Sequence, residues 1–68
     1  MVLKNTERIG SIVDEFDKGE RFTSRMLVEM YVSRYGANYA PNSRSAAFIL
    51  KKRDDVIHDS LKNEFVKQ

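Results

Sequence analysis

The chain contains no cysteine and a single histidine, His58. The first absence excludes disulfides and every cysteine-containing zinc site, and the second excludes a histidine-rich metal centre. Glycine occurs only at the scattered positions 10, 19 and 36, so there is no glycine-rich phosphate loop. Long apolar runs are missing too: none approaches the roughly 20 residues that span a bilayer. The segment Met1-Val2-Leu3-Lys4-Asn5 lacks the basic-then-apolar order of a signal peptide. A cytoplasmic protein without membrane association is expected. With 68 residues the chain holds one domain at most, spanning 1–68. A core of this size supplies only about 3–5 kcal/mol, so the fold depends on packing, aided at most by a partner.

A composition of 41% hydrophobic and 32% charged residues is that of a globular domain. The net charge of +2 implies no partner, but its distribution is uneven. Residues 1–20 hold Lys4, Arg8 and Lys18 against Glu7, Asp14, Glu15, Asp17 and Glu20, a net of −2. Residues 21–53 hold Arg21, Arg25, Arg34, Arg44, Lys51, Lys52 and Arg53 against Glu29 alone, a net of +6. Residues 54–68 return to −2, with Lys62 and Lys67 against Asp54, Asp55, Asp59 and Glu64. A basic middle between acidic ends has the layout of a binding face.

Hydrophobic spacing predicts three helices. Ile9, Ile12, Val13 and Phe16 share one helical face, predicting a helix over 5–18 stopped by Gly19. Gly10 in its middle weakens it slightly and permits a close helix contact. Arg21-Phe22-Thr23 has the length of one short sheet-edge strand, with Thr23 as N-cap of the next helix. Leu27, Met30 and Tyr31, with Val28, Val32 and Tyr35, give a wide apolar arc over 24–35, and Gly36 ends it. After the connector, Pro41 is expected in the first turn of a third helix, 42–53, with a core stripe of Ala46, Ile49 and Leu50. Residues 56–67 admit two readings. Ile57, Leu61 and Phe65 are spaced for one face of a helix, yet Val56-Ile57-His58 and Glu64-Phe65-Val66 also suit a hairpin in which Asn63 takes positive φ.

Helix, short strand, helix, turn, basic helix and hairpin follow in that order. The sequence resembles the winged helix-turn-helix DNA-binding family in Phe22-Thr23-Ser24, in Ala40-Pro41-Asn42-Ser43-Arg44-Ser45 and in Ala46-Ala47-Phe48-Ile49-Leu50-Lys51-Lys52. Lys62-Asn63-Glu64-Phe65-Val66-Lys67 is similar to the returning strand of its wing. The resemblance implies a small, mainly α fold with a β-hairpin (α+β). It also implies binding to double-stranded DNA, as in a transcriptional regulator. Helix 42–53 would enter the major groove, and the wing, at Lys62 and Asn63, would touch backbone. Asn42, Ser43 and Arg44 lie where such a helix reaches base edges, with Ala47 and Phe48 following. Lys51, Lys52 and Arg53 are expected on phosphates, which add affinity but little sequence information. Tyr39, in the connector, is a further candidate for a phosphate contact. The connector from Gly36 to Pro41 is longer than the 3–4 residues of a tight helix-turn-helix.

Other readings receive less support. His58-Asp59-Ser60 holds triad residue types, but neighbours on one element do not converge as a triad does; no enzymatic activity is expected. Asp14, Glu15 and Asp17 suit a solvated helix face better than a metal site. Asp54-Asp55 would open the wing, away from phosphate. Phe48 has three roles open to it: a thymine methyl contact, a dimer contact or packing under the wing, which is preferred. No cofactor or small-molecule ligand is expected, while a homodimer would enlarge a limited DNA contact. The main rival function is a protein-protein interaction module on the same fold, without direct DNA binding.

Overall fold

The computed structural model describes residues 5–68. The elements are α1 (Asn5–Val13), β1 (Arg21–Phe22), α2 (Ser24–Tyr35), α3 (Ser43–Lys51), β2 (Val56–Asp59) and β3 (Glu64–Lys67). The three strands form one antiparallel sheet in the order β1-β3-β2. This is a small α+β fold, and α2 occupies the predicted residues 24–35.

Residues 5–18 do not form one helix. Beyond Val13 the backbone bonds tighten: Glu15 N–H donates to Ile12 C=O (3.1 Å) and Phe16 N–H to Val13 C=O (3.0 Å). Asp14, Glu15 and Asp17 would crowd the negative end of a longer helix, where anions are unfavourable. Leaving the helix also lets Phe16 stack on Phe22, with ring centroids 4.3 Å apart. Gly19, at φ 87°, is a turn residue and not a helix stop. Its N–H donates to the Lys67 carbonyl (2.7 Å), and Lys67 N–H donates to Glu20 C=O (2.9 Å), so pairing continues beyond the two residues of β1.

The Thr23 hydroxyl caps α2 by accepting from Met26 N–H (3.1 Å); Thr23 keeps extended backbone angles, but β1 ends at Phe22, one residue short of the predicted strand 21–23. Gly36, at φ 90°, ends α2 and donates to the Val32 carbonyl. The third helix is shorter than 42–53 at both ends. Asn42 is its N-cap, its Oδ1 accepting from Ser45 N–H at 2.8 Å, and Lys52 closes it. Pro41 therefore lies before the cap, where it holds the preceding residue extended, and not in the first helical turn.

Residues 56–67 form the hairpin, not a fourth helix. Phe65 lies opposite both Phe22 and His58 in the sheet. Period-2 alternation sends Val56 and Phe65 inward while Ile57 faces out. Leu61, the middle of the alternative helical stripe, is 97% exposed in the loop. Asn63 has φ 52°, the left-handed conformation that Asn tolerates. The Asp59 carboxylate accepts from the N–H groups of Leu61 (3.2 Å) and Lys62 (3.3 Å), which fixes the loop.

Every element contributes to the core: Ile9, Ile12 and Val13 from α1, Phe22 from β1, Leu27 and Tyr31 from α2, Ala46 and Leu50 from α3, and Val56 and Phe65 from the hairpin. Val28, Met30, Tyr35 and Ile49 border it, whereas Val32 is exposed. The Tyr31 hydroxyl donates to Asn5 Oδ1 (2.6 Å) and accepts from Arg8 Nη1 (2.9 Å), so a buried polar group is satisfied between α1 and α2. No helix among the described residues is long and apolar enough to cross a membrane.

Candidate nucleic-acid interface

The exposed surface of α3 follows from what the helix buries. Ala46 and Leu50 point into the core. Helical spacing then gathers Arg44, Ala47, Phe48 and Lys51 on another stripe, with Lys52 beside it. Ser43, Arg44, Lys51 and Lys52 are exposed and Ala47 is half-buried. Asn42 begins this surface, but its carbonyl oxygen is committed to the cap. Lys62 and Asn63 are exposed on the hairpin loop.

Ion pairing sorts the cations of the basic middle into two groups. Arg21 pairs with Asp59 (3.0 Å) and Glu64 (3.3 Å), and Arg25 with Glu29 (3.6 Å). Arg34 pairs with Glu15. Arg53 binds Asp55 through Nε and Nη2, both at 2.8 Å, and reaches Asp14 at 3.8 Å. Among the described residues, Arg44, Lys51, Lys52 and Lys62 have no carboxylate partner, a condition shared by Lys18 near α1 and by Arg8, which bonds to the Tyr31 hydroxyl instead. The net +6 of residues 21–53 therefore resolves into an internally neutralised part and an open part on α3.

Two expectations change here. Arg53 does not join Lys51 and Lys52 as an open cation. The chain turns after Lys52, and a planar guanidinium that meets a carboxylate with two bonds is held there. Asp55 likewise belongs to this internal network, also accepting from Lys67 Nζ at 2.9 Å. The Arg53 and Lys67 donors hold its carboxyl well below the usual carboxylate range, against the opposing effect of burial. Asp59 is lowered by Arg21 and by the loop N–H groups.

Phe48 is the second. It does not pack under the hairpin but is 60% exposed, with Lys52 Nζ 4.2 Å from its ring centroid. One side of it borders a groove of about 270 Å³ lined by Thr6, Ile49, Lys52 and Arg53. Tyr39 is 75% exposed in the connector. Sequence reasoning missed the fully exposed Leu61 at the hairpin tip, because its spacing from Ile57 and Phe65 mimicked a helical stripe. The usable signal was Asp59, which favours a turn over the next residues.

Strand alternation separates the triad residue types. The His58 ring packs tilted against Phe65, with centroids 4.9 Å apart, while Asp59 accepts from Arg21. Asp14 and Glu15 face arginines, and no group of three His, Asp or Glu side chains with metal-holding geometry occurs among the described residues. Comparison with family models, curated proteins and solved structures finds no match to this chain.

Proposed function

We propose that the chain is a winged helix-turn-helix domain that binds double-stranded DNA and serves as a transcriptional regulator. In this reading α3 is the recognition helix and the β2–β3 hairpin is the wing. The observation that carries it is the stripe of Arg44, Lys51 and Lys52, cations without carboxylate partners on the exposed side of a helix capped at Asn42. An α-helix fits the major groove. Arg44 in the first turn meets a guanine edge with two bonds, Lys51 and Lys52 neutralise phosphates, and Lys62 and Asn63 touch backbone from the wing. The order of elements, helix, short strand, two helices and a hairpin, is the one the resemblance implies, and a homodimer would extend the limited contact of one domain.

The test is a salt titration of duplex binding by the wild-type chain, Arg44→Ala and Lys51→Ala. Wild-type affinity should fall as salt rises, and both substitutions should weaken it. Equal affinity for all three proteins would sink the assignment.

A second reading, a protein-interaction module, draws on the exposed apolar side chains of Ile57 and Leu61 on the hairpin. It requires an acidic protein partner for α3 and negligible duplex binding even at low salt.

A further inference from the structure

The stripe on α3 is not uniformly cationic. Ala47 and Phe48 interrupt it, between Arg44 on one side and Lys51 and Lys52 on the other. Phe48 leaves more than half of its surface in water, at 60% exposure, although burying a phenyl ring is favourable. The ammonium of Lys52 lies over the ring, with Nζ 4.2 Å from its centroid, a cation–π contact within the stripe.

In the major groove, one base alone carries an exposed apolar substituent. Thymine projects its C5-methyl group beside the hydrogen-bonding edges, and alanine or phenylalanine side chains meet it by apolar contact. Residues 44 and 48 are four apart, a spacing of about 6 Å along an α-helix. Successive base pairs are about 3.4 Å apart. A guanine reached by Arg44 and a methyl group reached by Phe48 therefore lie within about two base-pair steps of each other.

Resting on the DNA-binding reading above, we infer that Phe48, with Ala47 beside it, is a specificity-determining residue that selects a thymine methyl group one or two base pairs from a guanine contacted by Arg44. Phosphate contacts by Lys51 and Lys52 leave this choice untouched, because they carry no base information. The discrimination is apolar, so it persists at salt concentrations that weaken the lysine contacts.

The experiment uses the full chain and a pool of short duplexes with a randomised core. Selection is expected to enrich duplexes holding guanine and thymine within two steps. The enriched duplex is then remade with uracil for thymine at one position at a time, which removes a methyl group and leaves base pairing intact. Replacement at one position should weaken wild-type binding about fourfold, the change that burying one methyl group represents. Phe48→Ala should bind the thymine and uracil duplexes alike, while Arg44→Ala keeps the thymine preference at lower affinity. Phe48 is exposed, so the variant folds, and circular dichroism checks this.

Equal binding of thymine and uracil duplexes by the wild-type chain overturns the inference and leaves the DNA-binding reading standing. A thymine preference that survives Phe48→Ala overturns it too. Absence of enrichment and of duplex binding at low salt removes both. A monomer–dimer shift caused by Phe48→Ala, with DNA selectivity unchanged, would assign the ring to a second copy of the chain and overturn the inference.

Discussion

A Cβ added at Gly10 would lie 2.7 Å from Nη1 of Arg53. The guanidinium thus rests on the bare backbone of α1, and the neighbour at Gly10 is this side chain from beyond α3, not the close helix expected there. From that seat Arg53 binds Asp55 with two hydrogen bonds and approaches Asp14, joining the helices to the start of the hairpin.

Gly10→Ala tests this seat. Alanine in a helix interior is worth about 1 kcal/mol over glycine, but here the new methyl displaces Arg53. The single variant should therefore gain less than that. In an Arg53→Ala background the obstruction is gone, and Gly10→Ala should stabilise by about 1 kcal/mol. Urea denaturation of the four proteins of the cycle measures the difference.

Asp55→Asn should destabilise the fold by about 1–2 kcal/mol at neutral pH, because it removes charge-assisted bonds from Arg53 and Lys67. The pH dependence has a definite sign. The folded carboxyl titrates below its unfolded value of about 3.9, so its contribution is present above that value and shrinks as pH falls below it. The gap between wild type and variant should be wide at neutral pH and narrow in acid, and thermal melts across that range would read it.

Asn42 and Asn63 should respond differently to substitution. Asn42→Ala removes the side-chain cap of α3 and should cost about 1 kcal/mol, with the first turn fraying around Arg44. Asn63→Ala removes the short polar side chain that makes φ 52° tolerable and should cost about 1 kcal/mol. Asn63→Gly should be tolerated, since glycine adopts positive φ without penalty. Amide exchange would localise the first effect to α3 and the second to the hairpin.

On DNA, Arg44→Ala should weaken specific binding by about 1–3 kcal/mol and relax sequence choice, whereas Lys51→Ala should reduce the salt slope by about 1. Arg53→Ala should leave that slope unchanged, because its charge is spent on Asp55. Competition titrations with specific and non-specific duplexes at several salt concentrations distinguish the three.

Local chemistry made much of the fold legible. The arc from Leu27 to Tyr35, bounded by Thr23 and Gly36, gave α2 its residues; Ala46 and Leu50 located the inner side of α3. Asn63 announced a turn through its tolerance of positive φ. Where the reading failed, distant partners intervened. Phe16 matched the helical spacing of Ile9, Ile12 and Val13 but leaves the helix to stack on Phe22, and Phe48 lacks the cover expected of a large apolar side chain.

The absences noted first retain their force, since cysteine, histidine clusters and apolar spans are matters of composition. The sequence by itself determined that no disulfide or cysteine-containing zinc site staples these residues and that their cations concentrate in residues 21–53. Only the tertiary structure decided which of those cations stay open. Charge is a property of a residue, but ion pairing depends on carboxylates brought near by folding: Asp59 to Arg21, Glu15 to Arg34 and Asp14 to Arg53, which also holds its sequence neighbour Asp55. Arg44, Lys51 and Lys52 remain because α3 turns them away from every such partner among the described residues.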